Sequence, residues 1–130
     1  MIVVDASCLY EVLVDAARAE TVRARLAIEP DQVAPHVIDV EVFGLIRRDA
    51  MRGVLDEITA ELVVEDLRTW PADRFSHRGL LERAWELRDT VRGWDAMYVA
   101  LAEIVRAPLV TLDARLASAP GPRCQIEVVA

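Results

Sequence analysis

The chain has 130 residues, of which 54% are hydrophobic, and its 15 cations and 22 acids leave a net charge of −7. A chain of this length forms one domain that can bury about two-thirds of the surface it exposes when unfolded, and its apolar content excludes intrinsic disorder. No apolar run approaches the ~18 residues a bilayer span needs, Asp5 interrupts the first apolar run with no basic region before it, unlike a secretory leader, and the acidic balance excludes loose charge-driven binding of nucleic acid over the whole surface, though not a local basic patch.

The expectation is therefore a soluble cytoplasmic protein. MIVV (residues 1–4) is a short apolar run with β-branched residues and reads as a buried strand. Residues 6–28 read as helix, broken near 15–19, and EPDQ (29–32) as a turn. VAP (33–35) reads as a short strand, after which Pro35 opens a helix through HVIDVEVFGLIRRDAMR (36–52), capped by Gly53. LDEITAELVVEDL (55–67) is a second helix, and TWPADRF (69–75) an extended segment. SHRGLLERAWELRD (76–89) reads as an amphipathic helix with Leu80, Leu81, Ala84, Trp85 and Leu87 on one broad face. Residues 94–106 form a strongly apolar helix. PLVTL (108–112) is a strand, DARLASA (113–119) a short helix, and CQIEVV (124–129) the last strand. The strands are continuous apolar runs alternating with helices, the pattern of an α/β fold: a parallel β-sheet covered by helices on both faces.

Acids recur at one place in this pattern. Asp5 follows MIVV and Asp113 follows LVTL, so both stand at the carboxyl edge of the sheet, where open α/β folds bind ligands. Asp95 opens the helix that feeds the LVTL strand and so starts at the same edge. The helix after residue 35 also begins there and carries Asp39 and Glu41. Taken singly, each acid has an ordinary alternative as a helix-cap, first-turn or strand-end residue. Taken together, they converge. Two carboxylates ~5 Å apart repel by about 3 kcal/mol at an effective dielectric of 20, so a cluster must hold protons or a cation. Oxygen donors without His or Cys point to Mg²⁺ or Mn²⁺ rather than Zn²⁺. The two cysteines, Cys8 and Cys124, have no metal spacing and read as reduced, packed thiols. His36 and His77 adjoin helix starts and read as structural.

MIVVDAS, DVEVFGLIRR, WDAMYVALAE and LVTLDARL, in this order and spacing, resemble PIN-domain ribonucleases, most of all the VapC toxins of bacterial toxin–antitoxin pairs. The resemblance spans nearly the whole chain. It implies the PIN fold and a Mg²⁺-dependent endoribonuclease, with Mn²⁺ as a substitute. The implied catalytic and metal-binding acids are Asp5, Glu41, Asp95 and Asp113, with Ser7 shaping the site. Helical phase alone does not separate Glu41 from Asp39; that choice rests on the resemblance. The resemblance also implies an RNA substrate, a cognate VapB-like antitoxin wrapped around residues 6–28 and 36–68, and a homodimer. Two departures stand out: Trp94 occupies a position more often tyrosine, and Leu116 one where some PIN domains carry a further acid. Arg115, beside Asp113, and the Arg47, Arg48 and Arg52 cluster are candidates for gripping RNA phosphates, Arg115 alternatively for contacting the site carboxylates, whereas Arg83, Arg88 and Arg106 read as solvated. A phospho-accepting receiver domain also gathers acids at strand ends but relies on a late lysine, and all 15 cations here are arginine. A PIN-like module without catalysis is the other alternative.

Overall fold

The computed structural model describes residues 1–130. Its strands are β1 (Ile2–Val4), β2 (Gln32–Pro35), β3 (Asp73–Phe75), β4 (Leu109–Thr111) and β5 (Ile126–Val128), and its helices are α1 (Ala6–Leu13), α2 (Ala19–Ile28), α3 (Val37–Met51), α4 (Glu57–Arg68), α5 (Leu81–Glu86), α6 (Gly93–Val105) and α7 (Ala114–Ser118). All strands pair in parallel, in the order β3-β2-β1-β4-β5. The chain thus runs outward from β1 through β2 and β3, then returns to the far side of β1 as β4. The crevice between the carboxyl ends of β1 and β4 is the topological switch point of the sheet.

The continuous apolar runs fall where both faces of the sheet are covered. Ile2, Val3, Leu109 and Val110 are fully buried in a core of 32 residues. Helices α1 to α4 pack among themselves, while α5 and α6 pack together and α6 crosses β1 and β2. Local chemistry sets the element ends. Asp15 in a left-handed conformation (φ 54°) separates α1 from α2, as the polar break in the sequence suggests. Gly53 (φ +75°) ends α3, where the Val54 amide donates back to the Asp49 carbonyl. Asp56 caps α4 by accepting from the Thr59 amide at 2.9 Å.

Two expectations need correcting. Pro35 closes β2 rather than opening α3, because His36 still donates its amide to Phe75 of β3 and helical turns begin only at Val37. The expected long helix over 76–89 is a 3₁₀ turn at Arg78–Leu80 followed by the short α5. Its end loosens where Arg88 and Thr90 donate to carbonyls three residues back, and the Arg88 guanidinium also takes the Trp85 carbonyl. The buried stripe is Leu80, Ala84, Leu87 and Val91; Leu81 and Trp85 face solvent, Trp85 at 67% exposure.

Candidate active site

Asp5 directly follows β1 and stands at the start of α1, yet its side chain does not cap that helix. It is buried instead, and its Oδ2 accepts from Ser7 Oγ at 2.7 Å and Thr111 Oγ1 at 2.6 Å. Ser7 Oγ in turn accepts from the Leu112 amide, and Thr111 Oγ1 from the Asp113 amide, so the β1 and β4 ends are tied through one carboxylate. With both hydroxyls on Oδ2, Oδ1 is left free of protein hydrogen bonds. Asp113 caps α7 through the Arg115 amide at 2.9 Å, and the Arg115 guanidinium lies 3.4 Å from the same oxygen. Arg115 thus meets one of the expected carboxylates.

Asp95 lies in the first turn of α6 without capping it. Its pKa is raised, chiefly by burial and then by the charge of Asp5; Arg92 opposes this, and Asp113 adds to it. Glu41, in the second turn of α3, is half-buried, and its Oε1 has no hydrogen-bond partner. Its pKa rises from an ordinary 4.5 to about 7, first through burial, with Asp5 and Asp95 adding repulsion. The Tyr98 hydroxyl pulls the other way. That hydroxyl is itself buried without a partner, so it sits near Glu41 but outside hydrogen-bonding geometry. Burial and these acids hold the phenol proton firmly. Glu41 and Asp95 thus both feel the charge of Asp5, Glu41 also feels Asp95, and Asp113 joins the group through Asp95.

In the side-chain conformations present, no three of the acids gather closely enough to hold one cation. The reason is physical: their charges repel, and Asp5 and Asp113 are each engaged by local donors. The donor set nevertheless fits a hard cation. It is all oxygen, Arg92 and Arg115 offset its repulsion only in part, and Glu41 Oε1 is a buried acceptor with nothing to accept from.

Asp39 belongs elsewhere. It pairs with Arg74 of β3 at 3.0 Å, and Arg74 also donates to three carbonyls around the α4–β3 connection. The structure thereby separates Asp39 from Glu41, which helical phase could not. Arg48 is occupied by Asp49, which also accepts from the Tyr10 hydroxyl. Arg47 lines a groove between α3 and α4, and Arg52 caps the far end of α3, ~16 Å along the axis from Glu41. None of the three adjoins the acids. Arg83 is not solvated as expected: it forms a half-buried pair with Glu103 at 2.7 Å and donates to the Gly121 carbonyl. His77 Nε2 accepts from the Val37 amide at 2.9 Å and so closes the start of α3, a structural role.

Two clefts open on the acids. One of about 490 Å³ is lined by Glu41, Arg92, Gly93, Trp94 and Asp95. The other, about 240 Å³, includes Arg92, Asp95, Asp113 and Arg115. Arg92 and Asp95 belong to both. Sequence reading passed over Thr111, Tyr98 and Arg92. Their signals were faint but present: Thr111 stands two residues before Asp113, and Tyr98 three after Asp95 on the same helix face.

A family model described as PIN domain matches residues 2–122. Ribonuclease VapC1 of Mycobacterium tuberculosis is 37% identical over 128 residues, covering 98% of this chain and 96% of its own. Ribonuclease VapC12 of the same species is 37% identical over 130 residues, the full length of both chains. Among solved structures, a Pyrobaculum aerophilum protein aligns with a TM-score of 0.70 at 22% identity, over 98% of this chain and 83% of its own. VapC20 of M. tuberculosis, described as a Sarcin-Ricin loop cleaving toxin, aligns at 0.69 and 19% identity, over 91% of this chain and 94% of its own. Full-length identity above a third to VapC proteins and a matched family model lead to one assignment: the chain belongs to the PIN-domain family, in its VapC group.

Proposed function

We propose that this protein is a Mg²⁺-dependent endoribonuclease and the toxin of a toxin–antitoxin pair, with Asp5, Glu41, Asp95 and Asp113 as its catalytic and metal-binding acids. The observation that carries this reading is the electrostatic linkage of Asp5, Glu41 and Asp95 at the switch point, with Asp113 joined through Asp95 and Glu41 Oε1 buried and unpartnered. Their oxygens would hold the ion. Once bound, it supplies positive charge at the scissile phosphodiester and acidifies attacking water. The chain's own groups do the rest. Ser7 and Thr111 clamp Asp5 through Oδ2 and keep Oδ1 turned free. Tyr98, with its proton firmly held, presents a neutral hydroxyl beside Glu41 rather than a further charge. Arg92 and Arg115, at the cleft walls, can orient the phosphate.

The partner side of the reading is supported by an apolar face. Val40, Phe43, Met51 and Val64 are exposed and line two adjoining grooves between α3 and α4, a contiguous apolar surface rather than scattered residues. A cognate VapB-like antitoxin covering this face and reaching the acids agrees with that surface. A homodimer belongs to the same reading, and sedimentation of the pure protein tests it. The test of activity is cleavage of purified RNA by the protein alone. Chelator should silence it, and Mg²⁺ or Mn²⁺, but not Zn²⁺, should restore it; robust cleavage in excess chelator overturns the metal mechanism.

A further inference from the structure

Beside the acid clefts lies a third, about 310 Å³, with Leu81, Trp85, Arg88, Arg92, Gly93 and Met97 among its walls. Its volume is at the small end of ligand pockets. The two acid clefts and the two grooves on α3 and α4 each have at least one acid in the wall; this one has two arginines and none. Its edge is an aromatic platform: the Arg88 guanidinium stacks 4.5 Å from the centre of the Trp85 ring, and Trp85 as a residue is 67% exposed. Neither Arg88 nor Arg92 is engaged in an ion pair. Arg92 lines this pocket and both acid clefts, so the surface is continuous from the Trp85 ring to Asp95 and Asp113.

We propose that the Trp85–Arg88 stack and its pocket hold a base of a single RNA strand next to the phosphodiester at the acid cleft, with Arg92 spanning to the intervening phosphate. The proposal rests on the ribonuclease reading and adds to it a base-recognition site. An indole face and a stacked guanidinium are the surfaces on which unpaired bases rest, and a strand must find local cations on a chain with net charge −7. A protein partner is the weaker fit. The larger exposed apolar surface is on α3 and α4, where two grooves of about 680 and 580 Å³ lie away from this pocket.

The test measures binding of a short labelled single-stranded oligoribonucleotide carrying all four bases, in chelator so that it is not cut, alongside an abasic strand of equal length. Trp85→Ala should weaken binding of the base-bearing strand about 5- to 100-fold, the loss expected for one stacked base. Trp85→Phe should recover most of it. The abasic strand should bind wild type and Trp85→Ala alike, which a merely structural tryptophan would not predict. Circular dichroism should be unchanged, since Trp85 is mostly exposed. Equal affinity of Trp85→Ala and wild type for the base-bearing strand, in a protein that cleaves RNA, overturns the pocket and leaves the nuclease reading standing. Wild type that neither binds nor cleaves RNA overturns both. A variant that falls apart into smaller species in sedimentation while keeping its RNA affinity makes the patch a protein contact and overturns the pocket.

Discussion

Replacing Glu41 by glutamine should make the metal-free protein more stable while disabling it. The carboxyl is half-buried, one oxygen has no partner, and Asp5 and Asp95 bear on it, so its pKa climbs from 4.5 to about 7. A rise of that size corresponds to roughly 3 kcal/mol, reduced to about 1–2 kcal/mol because solvent still reaches the group. The folded pKa lies above the unfolded one, so between these values the native state binds more protons than the unfolded chain. The wild type's stability is then fully present below 4.5 and falls as pH rises through about 7. Glutamine keeps the shape and removes the charge. In chelator at about pH 8, Glu41→Gln should melt roughly 3–8 °C above wild type. At about pH 5, where the wild-type carboxyl holds its proton, the gap should nearly close. Added Mg²⁺ should stabilise wild type by about 2.7 kcal/mol at a hundredfold excess over Kd, and the variant by less. The assay is thermal melting of both proteins at both pH values, with chelator and with Mg²⁺. A variant that melts at or below wild type at about pH 8 in chelator, and gains as much from Mg²⁺, refutes the reasoning.

Three further outcomes follow from the contacts. Asp39→Asn should keep RNA cleavage and lose only about 0.5–1 kcal/mol, because its partly exposed pair with Arg74 lies outside the acid cleft; Glu41→Gln should lose about a hundredfold in rate, a barrier increase of about 2.7 kcal/mol. Thr111→Val removes a buried 2.6 Å bond to the Asp5 carboxylate and should cost about 1.5–3 kcal/mol in urea denaturation. Arg83→Ala breaks the half-buried pair with Glu103 and should lower the melting temperature without touching cleavage in a metal-supplemented assay, since Arg83 lines neither acid cleft.

The parallel sheet was legible because MIVV and PLVTL are apolar runs too short and too β-branched for helices. Once the strands were parallel, the acids just after β1 and β4 had to share an edge, and no contact information was needed to bring Asp5 and Asp113 together. What stayed hidden depends on partners distant in the chain. Asp39 and Glu41 looked alike on α3 until Arg74, 35 residues later, claimed Asp39. Arg83 looked solvated because Glu103, 20 residues on, is a turn of another helix. Thr111 passed for an ordinary strand residue, since its value lies in a hydrogen bond to Asp5 across 106 positions. The segment around Trp85 failed differently. An amphipathic count assumed one continuous helix, but the 3₁₀ turn at Arg78–Leu80 and the short α5 leave Leu81 and Trp85 off the buried stripe.

Cleavage of purified RNA by Asp5→Asn and Asp95→Asn, each measured with Mg²⁺ beside wild type and each checked by circular dichroism, bears most directly on the four-acid site. Asparagine at position 5 can still accept from Ser7 and Thr111, and position 95 caps nothing, so both variants should fold. Both should lose cleavage while wild type cuts. Full activity in either folded variant would mean that these acids do not form the catalytic centre.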